Sequence, residues 1–187
     1  MVKFNREKVK KNIKIVNIVV STSLGKNIPL ERVAANLPNT EYNPEQFPGL
    51  VLKLRDPKTS ALIFNSGKVV CTGAKSMEFV HKSIENIIKT LARVDIEITI
   101  KPEIQIQNIV ASGNLEEHLN LNLLSIKLEN TEYEPEQFPG LVYKLPGARA
   151  TFLLFSNGKI VCTGTNSEEG VYEAVEMLMD RLERLNI

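Results

Sequence analysis

The sequence has 187 residues, of which 43% are hydrophobic and 24% charged, and 23 basic against 22 acidic residues leave a net charge of +1. A chain so close to neutral cannot attract a polyanion through its total charge, so any affinity for nucleic acid must come from local placement of basic residues. No apolar run approaches the ~20 residues of a membrane-spanning helix, and the charged N-terminus lacks the apolar core of a signal peptide. Two cysteines and two histidines are too few for a structural zinc site. We therefore expect a cytoplasmic protein with reduced thiols and no cofactor.

Taken in chain order, the first half predicts a basic terminus (1–12), a strand (13–21), a short helix (29–35) and an irregular loop (42–49). Three short strands (50–54, 61–64 and 68–72) and a long helix (76–94) follow. Pro29 suits the first turn of a helix, whereas the two prolines and the glycine of the loop interrupt any regular ladder. The last segment has apolar residues at helical spacing. The basic terminus is expected to be solvated.

The same plan occurs a second time in the chain. Residues 39–54 read NTEYNPEQFPGLVLKL and residues 130–145 read NTEYEPEQFPGLVYKL, so fourteen of sixteen positions are identical at an offset of 91. The same offset aligns two further blocks, residues 15–21 with 106–112 and residues 64–73 with 155–164. Because one offset serves all three blocks, the chain is a duplicated unit rather than a longer repeat array.

The duplication predicts an α+β protein of two quasi-symmetric repeats, residues 13–95 and 96–187, that follow the basic segment 1–12 and together form one pseudo-symmetric whole. Strand alternation places two sets of side chains on opposite faces of a roughly ten-stranded antiparallel sheet, and neither set contains a carboxylate. Two long helices can cover only one of these faces. The second face therefore implies a bound partner, or else a sandwich-like core closed by another sheet or by dimerisation, and the pattern leaves both alternatives open.

Three blocks carry a resemblance to a known family: EYNPEQFPGLVLKL, ALIFNSGKVVCTGAKS and IQNIVAS. They closely resemble the TATA-box-binding proteins, over nearly the whole chain and in both repeats. The PEQFPGLV sequence of both loops is similar to the archaeal members. The resemblance implies a saddle-shaped, curved antiparallel sheet of about ten strands, with helices on its convex face and promoter DNA beneath its concave face.

The resemblance also implies how the DNA is contacted. Two phenylalanine pairs match the wedges that enter a base step at each end of the site, namely Phe47 with Phe64 and Phe138 with Phe155. The matches to the minor-groove floor are Asn17, Val19, Leu62, Val70, Thr72, Asn108, Val110, Leu153, Val161 and Thr163. The matches to phosphate-contacting positions are Lys53, Ser66, Lys68, Lys75, Lys144 and Lys159. In the second repeat Asn157 replaces Ser66 and Asn166 replaces Lys75, which predicts fewer phosphate contacts there.

The implied partners are double-stranded promoter DNA, transcription factor B and the RNA polymerase pre-initiation complex. Glu134 and Glu136 match the acidic positions that contact transcription factor B, whereas the first loop has Asn43 and Glu45. The implied function is that of a general transcription factor that binds and kinks the TATA box through the minor groove, in an archaeal cell at the nucleoid. Some members of the family also dimerise through the sheet face without DNA.

Two other classes of function compete with this one. An enzyme is disfavoured because the sequence has no phosphate-binding loop, no Gly-rich dinucleotide turn and no cluster with metal-ligand spacing. A protein-interaction module, whose apolar sheet face binds a second copy of itself, would have the same strand pattern. Dimerisation that DNA cannot displace would distinguish that module from a promoter-binding protein.

Overall fold

A computed structural model of the chain describes residues 2–186. These residues form five helices: α1 (Arg6–Asn12), α2 (Leu30–Asn36), α3 (Met77–Ala92), α4 (Leu121–Lys127) and α5 (Glu168–Arg184). They also form ten strands: β1 (Lys14–Ser23), β2 (Thr40–Glu41), β3 (Leu50–Arg55), β4 (Lys58–Ile63), β5 (Lys68–Ala74), β6 (Gln105–Asn114), β7 (Thr131–Glu132), β8 (Leu141–Lys144), β9 (Thr151–Leu154) and β10 (Lys159–Thr165).

The chain forms two compact units. One unit is Asn17–Gln107, and the other combines the N-terminal residues through Val16 with the residues from Asn108 onward. The strand order is β2-β3-β4-β5-β1 in the first unit and β6-β10-β9-β8-β7 in the second, with antiparallel pairing in both. The predicted α+β class, with two repeats and ten antiparallel strands, is confirmed. The two-residue strands β2 and β7 were not predicted.

The long helix of each unit packs on the strand that precedes it, α3 on β5 and α5 on β10. Each begins at a serine N-cap, because the side chains of Ser76 and Ser167 accept a backbone N–H three residues later. Cys71 and Cys162 are buried with free thiols on the helix-facing side, as predicted. Burial raises the pKa of the Cys162 thiol to about 11, so it stays protonated at neutral pH. No helix among residues 2–186 is long and apolar enough to cross a membrane.

The prediction of a solvated N-terminal segment is wrong, because this segment packs against the second repeat. Phe4 and Val9 are buried in the core of that unit, beside side chains of α5 and the loop after β6. Asn5 caps α1 by accepting the Lys8 N–H, at 3.1 Å. Seven helical residues would not hold a helix in isolation, so these two apolar anchors stabilise it.

Arg6 fixes α1 against α5 through three carboxylates. Its guanidinium lies 3.1 Å from the carboxylate of Glu176 and 2.9 Å from that of Glu183, and it also contacts Asp180. Glu183 additionally accepts the Phe4 N–H at 3.0 Å. The Arg6 hydrogen bond, reinforced by this backbone donor, lowers the pKa of the Glu183 carboxyl below its ordinary value. Arg6 therefore pairs with Glu183 only while that carboxyl is ionised.

We expect this cluster to make stability depend on pH. A carboxyl whose pKa is lowered by folding stabilises the native state above its unfolded pKa, and that contribution disappears as the pH falls through the lowered value. Because the groups are partly exposed, Arg6→Gln should lower the free energy of unfolding by about 1 kcal/mol at neutral pH. Thermal unfolding between about pH 7 and pH 3 should show a flatter pH dependence in Glu183→Gln.

Lys8→Gln serves as the control, since the Lys8 ammonium pairs with the exposed carboxylate of Glu116 at 3.1 Å and not with the Arg6 cluster. Its melting temperature should stay close to that of the parent protein across the same pH range. An unchanged pH dependence in Glu183→Gln would contradict the role assigned to the cluster.

Candidate functional site

Each unit has one sheet face on which the side chains stay half-buried, while the residues that alternate with them along the strands are buried against the helices. The ten residues that match the minor-groove floor are all half-buried: Asn17, Val19, Leu62, Val70, Thr72, Asn108, Val110, Leu153, Val161 and Thr163. We call this the uncovered face of each unit. The alternation predicted from the sequence places these side chains as the structure has them.

The structure adds two residues to the uncovered face that the sequence prediction missed. Val51 pairs with Leu62, and Leu62 with Val70, in a continuous row across β3, β4 and β5. Val142 begins the equivalent row of the second unit. Directly paired residues of antiparallel strands point to the same face. The same alternation would have found both valines, because Val51 lies two residues before the exposed Lys53 in β3.

The two central asparagines are held in one orientation by the backbone. The Gly73 N–H donates to Asn17 Oδ1 at 2.7 Å, and the Gly164 N–H donates to Asn108 Oδ1 at the same distance. Because a backbone N–H can only donate, the accepting atom is the amide oxygen and not the nitrogen. Both glycines have φ near +100°, a conformation that side chains disfavour. Sequence reasoning missed these supporting glycines, whose only signal is their recurrence in the CTG of both repeats.

A threonine takes one proton of each fixed amide. Asn17 Nδ2 donates to Thr72 Oγ1 at 3.1 Å, and Asn108 Nδ2 donates to Thr163 Oγ1 at 3.0 Å. Each threonine hydroxyl is also placed to donate to the same asparagine, with Thr72 Oγ1 3.3 Å from Asn17 Oδ1 and Thr163 Oγ1 3.4 Å from Asn108 Oδ1. An amide nitrogen carries two protons, so one amide proton of each asparagine is left to donate elsewhere. Each uncovered face therefore presents uncharged hydrogen-bond donors among apolar side chains.

The four phenylalanines form the two pairs that the resemblance implies. The ring centroids of Phe47 and Phe64 are 5.9 Å apart with the rings inclined at 69°, and those of Phe138 and Phe155 are 6.0 Å apart at 70°. This is the edge-to-face arrangement that aromatic rings favour. Phe47 and Phe138 are nevertheless 43% and 42% exposed. Large apolar side chains that are held rigidly and left exposed are suited to contact a partner.

A glycine makes each ring pair possible. A Cβ at Gly49 would lie 2.7 Å from Phe47 Cε1, and a Cβ at Gly140 would lie 2.7 Å from Phe138 Cε1. Such distances are shorter than van der Waals contact, so the rings could not approach as they do. The sequence predicts only that the prolines and the glycine of this loop interrupt a regular ladder. The packing role of the glycine becomes visible only with the rings in place.

The residues that match phosphate-contacting positions are all exposed: Lys53, Ser66, Lys68, Lys75, Lys144 and Lys159. The Lys53 ammonium lies 3.8 Å from the Glu41 carboxylate, with about two thirds of both side chains exposed. A pair so exposed contributes little and leaves the ammonium able to exchange partners. Ser66 and Asn157 cap equivalent turns, because they accept the N–H of Lys68 at 3.4 Å and of Lys159 at 3.1 Å.

Glu134 and Glu136 are exposed in the loop that precedes Phe138. The loop is closed by its backbone, since the Phe138 N–H donates to the Glu134 carbonyl at 3.0 Å. Both carboxylates are therefore displayed on an ordered turn. Within the part of the chain that the structure describes, no group of three or more His, Cys, Asp or Glu side chains could hold a metal ion.

Fold and site together define a duplicated α+β protein in which each repeat presents an uncovered apolar sheet face with neutral donors and a pair of packed phenylalanine rings. The family model described as "Transcription factor TFIID (or TATA-binding protein, TBP)" matches residues 12–94 and 103–185. The TATA-box-binding protein of Methanobrevibacter smithii is 52% identical, and that of Methanothermobacter thermautotrophicus 53%, each over 94% of this chain and 97% of the relative. The chain belongs to the family of TATA-box-binding proteins.

The fold agrees with a solved structure of the same family. The structure of Methanococcus jannaschii TBP has a TM-score of 0.87 against this chain at 51% identity. The match covers 92% of this chain and 99% of that one.

We expect Gly140→Ala to separate the second ring pair, because the new Cβ would also lie 3.0 Å from Phe155 Cε1. Nuclear Overhauser contacts between the ring protons of Phe138 and Phe155 should weaken strongly. Ser156→Ala is the control, since Ser156 is exposed next to Phe155 and its substitution adds no atom near the rings. Ring contacts that persist in Gly140→Ala would show that the glycine is not required.

Proposed function

We propose that this protein is a general transcription factor that binds the TATA box through the DNA minor groove, kinks it with the two phenylalanine pairs, and recruits transcription factor B and RNA polymerase. The observation that carries the proposal is the chemistry of the uncovered faces. They are apolar, they contain neutral donors in a fixed orientation, and exposed lysines lie along their strands. Family membership supports the same function.

The floor of each uncovered face favours A·T base pairs. The minor-groove edge of A·T presents the acceptors adenine N3 and thymine O2, whereas G·C adds the guanine N2 amino donor. The remaining amide protons of Asn17 and Asn108 match the acceptors. A guanine amino group would meet valine and leucine side chains without an acceptor, and an unsatisfied buried donor costs about 1–3 kcal/mol.

The ring pairs are suited to act as wedges at a base step. Apolar side chains inserted from the minor groove unstack neighbouring base pairs and bend the duplex towards the major groove. Phe47 and Phe138 each expose a flat ring backed by a second ring about 6 Å away, which limits how far the wedge can yield. Stacking on a phenyl face partly offsets the lost base stacking.

The exposed lysines account for affinity without net positive charge. Phosphate contacts supply most of the sequence-independent affinity of DNA-binding proteins and make it depend on salt. Lys53 and Lys144 lie at equivalent positions of the two repeats, as do Lys68 and Lys159. The net charge of +1 is therefore compatible with tight binding at low salt.

The first test compares fluorescence anisotropy of a labelled TATA duplex with that of a G·C-rich duplex at one fixed salt concentration. We expect selective binding of the TATA duplex by the parent protein. Replacement of Phe47, Phe64, Phe138 and Phe155 by alanine should abolish the selectivity, because the unstacked steps would no longer be filled.

Phe79→Ala is the matched control for loss of an exposed ring. Phe79 is 40% exposed, like Phe47, but it lies on helix α3. This variant should bind the TATA duplex as the parent does. Equal binding of the two duplexes by the parent protein would refute the promoter-binding function and favour the self-associating interaction module.

The proposed contact to transcription factor B is tested by charge reversal. Two repeats with such similar floors orient DNA weakly, so we propose that factor B fixes the polarity of the complex by contacting Glu134 and Glu136. Glu134→Arg should lower factor B binding to the preformed DNA complex at least tenfold, by the loss of an opposite charge and the gain of a like one. Electrophoretic mobility shift of the ternary complex measures this.

Glu45→Arg is the control for a reversed charge in the first loop, since that loop has the same PEQF sequence and Glu45 is the counterpart of Glu136. It should leave the ternary complex intact. Both variants should bind the TATA duplex alone as the parent does. Factor B recruitment that is unchanged in Glu134→Arg would exclude this assignment while leaving the DNA-binding function standing.

A further inference from the structure

The end of the N-terminal segment is held in a fixed position within the second unit. Asn12 forms two hydrogen bonds with the backbone of Asn114, because its Nδ2 donates to the carbonyl at 2.8 Å and its Oδ1 accepts the N–H at 2.9 Å. With Phe4 and Val9 buried, both ends of α1 are anchored. Lys14, the first residue of β1, therefore has a fixed backbone position beside β6.

Lys14 lines an open cavity together with residues of the uncovered face. The cavity has a volume of about 570 Å³, and the residues that matter here are Asn12, Lys14, Glu116, Phe155, Asn157 and Lys159. It thus adjoins the second wedge ring and the lysine that matches a phosphate-contacting position. Lys14 and Lys159 are both exposed.

The charges around this cavity leave its two ammonium groups uncompensated. Glu116 is already engaged, since its carboxylate lies 3.1 Å from the Lys8 ammonium and accepts from Asn12 Nδ2 at 3.4 Å. Among residues 2–186, neither Lys14 nor Lys159 forms an ion pair within 4.0 Å. Two free cations on one concave surface attract an anion with several oxygen acceptors.

The equivalent cavity of the first unit has a similar volume, about 540 Å³, but a different chemistry. Its lining includes Lys68 and Lys101. Glu103 occupies the position that Asn12 has in the second unit, and Gln105 occupies the position of Lys14. The Glu103 side chain forms no ion pair within the described part of the chain, so a free carboxylate opposes the lysines. The second cavity is therefore the better anion site.

We propose that Lys14 binds a DNA phosphate next to Lys159, as a phosphate contact of the second repeat alone. This inference rests on the proposed promoter binding. It also explains how the second repeat tolerates Asn157 and Asn166 where the first has Ser66 and Lys75, since a cation is restored from the N-terminal segment.

The test is the salt dependence of TATA-duplex binding, followed by anisotropy in the intact protein. Loss of one phosphate contact lowers the slope of log K against log salt by about 1. Lys14→Gln should show this decrease, as should Lys159→Gln, and affinities should converge with the parent at high salt. Lys14 is exposed, so melting temperatures should be unchanged.

Lys10→Gln is the control for a lost charge in the same segment, because the Lys10 ammonium lies 5.7 Å from the centroid of the Tyr172 ring on α5. Its slope should equal that of the parent. A parent-like slope in Lys14→Gln, with TATA selectivity retained, overturns the role of Lys14 alone. An equal loss of slope in Lys10→Gln also overturns it, because the effect would then be one of total charge. Absence of TATA selectivity in the parent overturns the promoter function and this inference with it.

Discussion

Each repeat has a five-stranded antiparallel sheet and a single long helix, and this ratio constrains everything else in the molecule. The helix packs on one face, where strand alternation supplies Ile63, Val69 and Cys71 in the first unit, all at most 1% exposed. The opposite face is equally free of charge at its centre but only half-buried. Apolar surface left in water is unfavourable by roughly 25 cal/mol per Å². Burial of this face by a partner is therefore favourable. The helices cannot bury it, because they pack on the opposite face.

A face without packing on its outer side needs another source of rigidity, and the backbone supplies it. The N–H groups of Gly73 and Gly164 fix the asparagine amides, and the amides fix the threonine hydroxyls. Gly49 and Gly140 do the same for the rings by allowing their close approach. Preorganised donors and rings lose little conformational entropy on binding. Rigidity at these few points thus replaces a second packed layer.

The sequence was sufficient to predict those parts of the fold that follow from the internal repeat or from the alternation of side chains along a strand. The duplication indicated two units, the alternation sorted Leu62 from Ile63, and the apolar residues at helical spacing located the long helix. It was insufficient for α1, because a segment rich in lysine with only Phe4 and Val9 as apolar anchors has the composition of a solvated terminus. Its docking depends on Glu183, which is 177 residues away from Arg6. Local patterns carry no information about such a contact.

The differences between the repeats are distributed unevenly over the structure. The floor and the ring pairs are nearly identical, since any change there would have to preserve the strand register and the glycine contacts at once. Exposed side chains carry no such constraint, and there Asn157 replaces Ser66, Asn166 replaces Lys75 and Glu134 replaces Asn43. The N-terminal segment, which packs on the second repeat only, adds to the same asymmetry. Duplication therefore preserved the groups that require exact geometry, while the exposed charges diverged and gave each repeat its own electrostatic character.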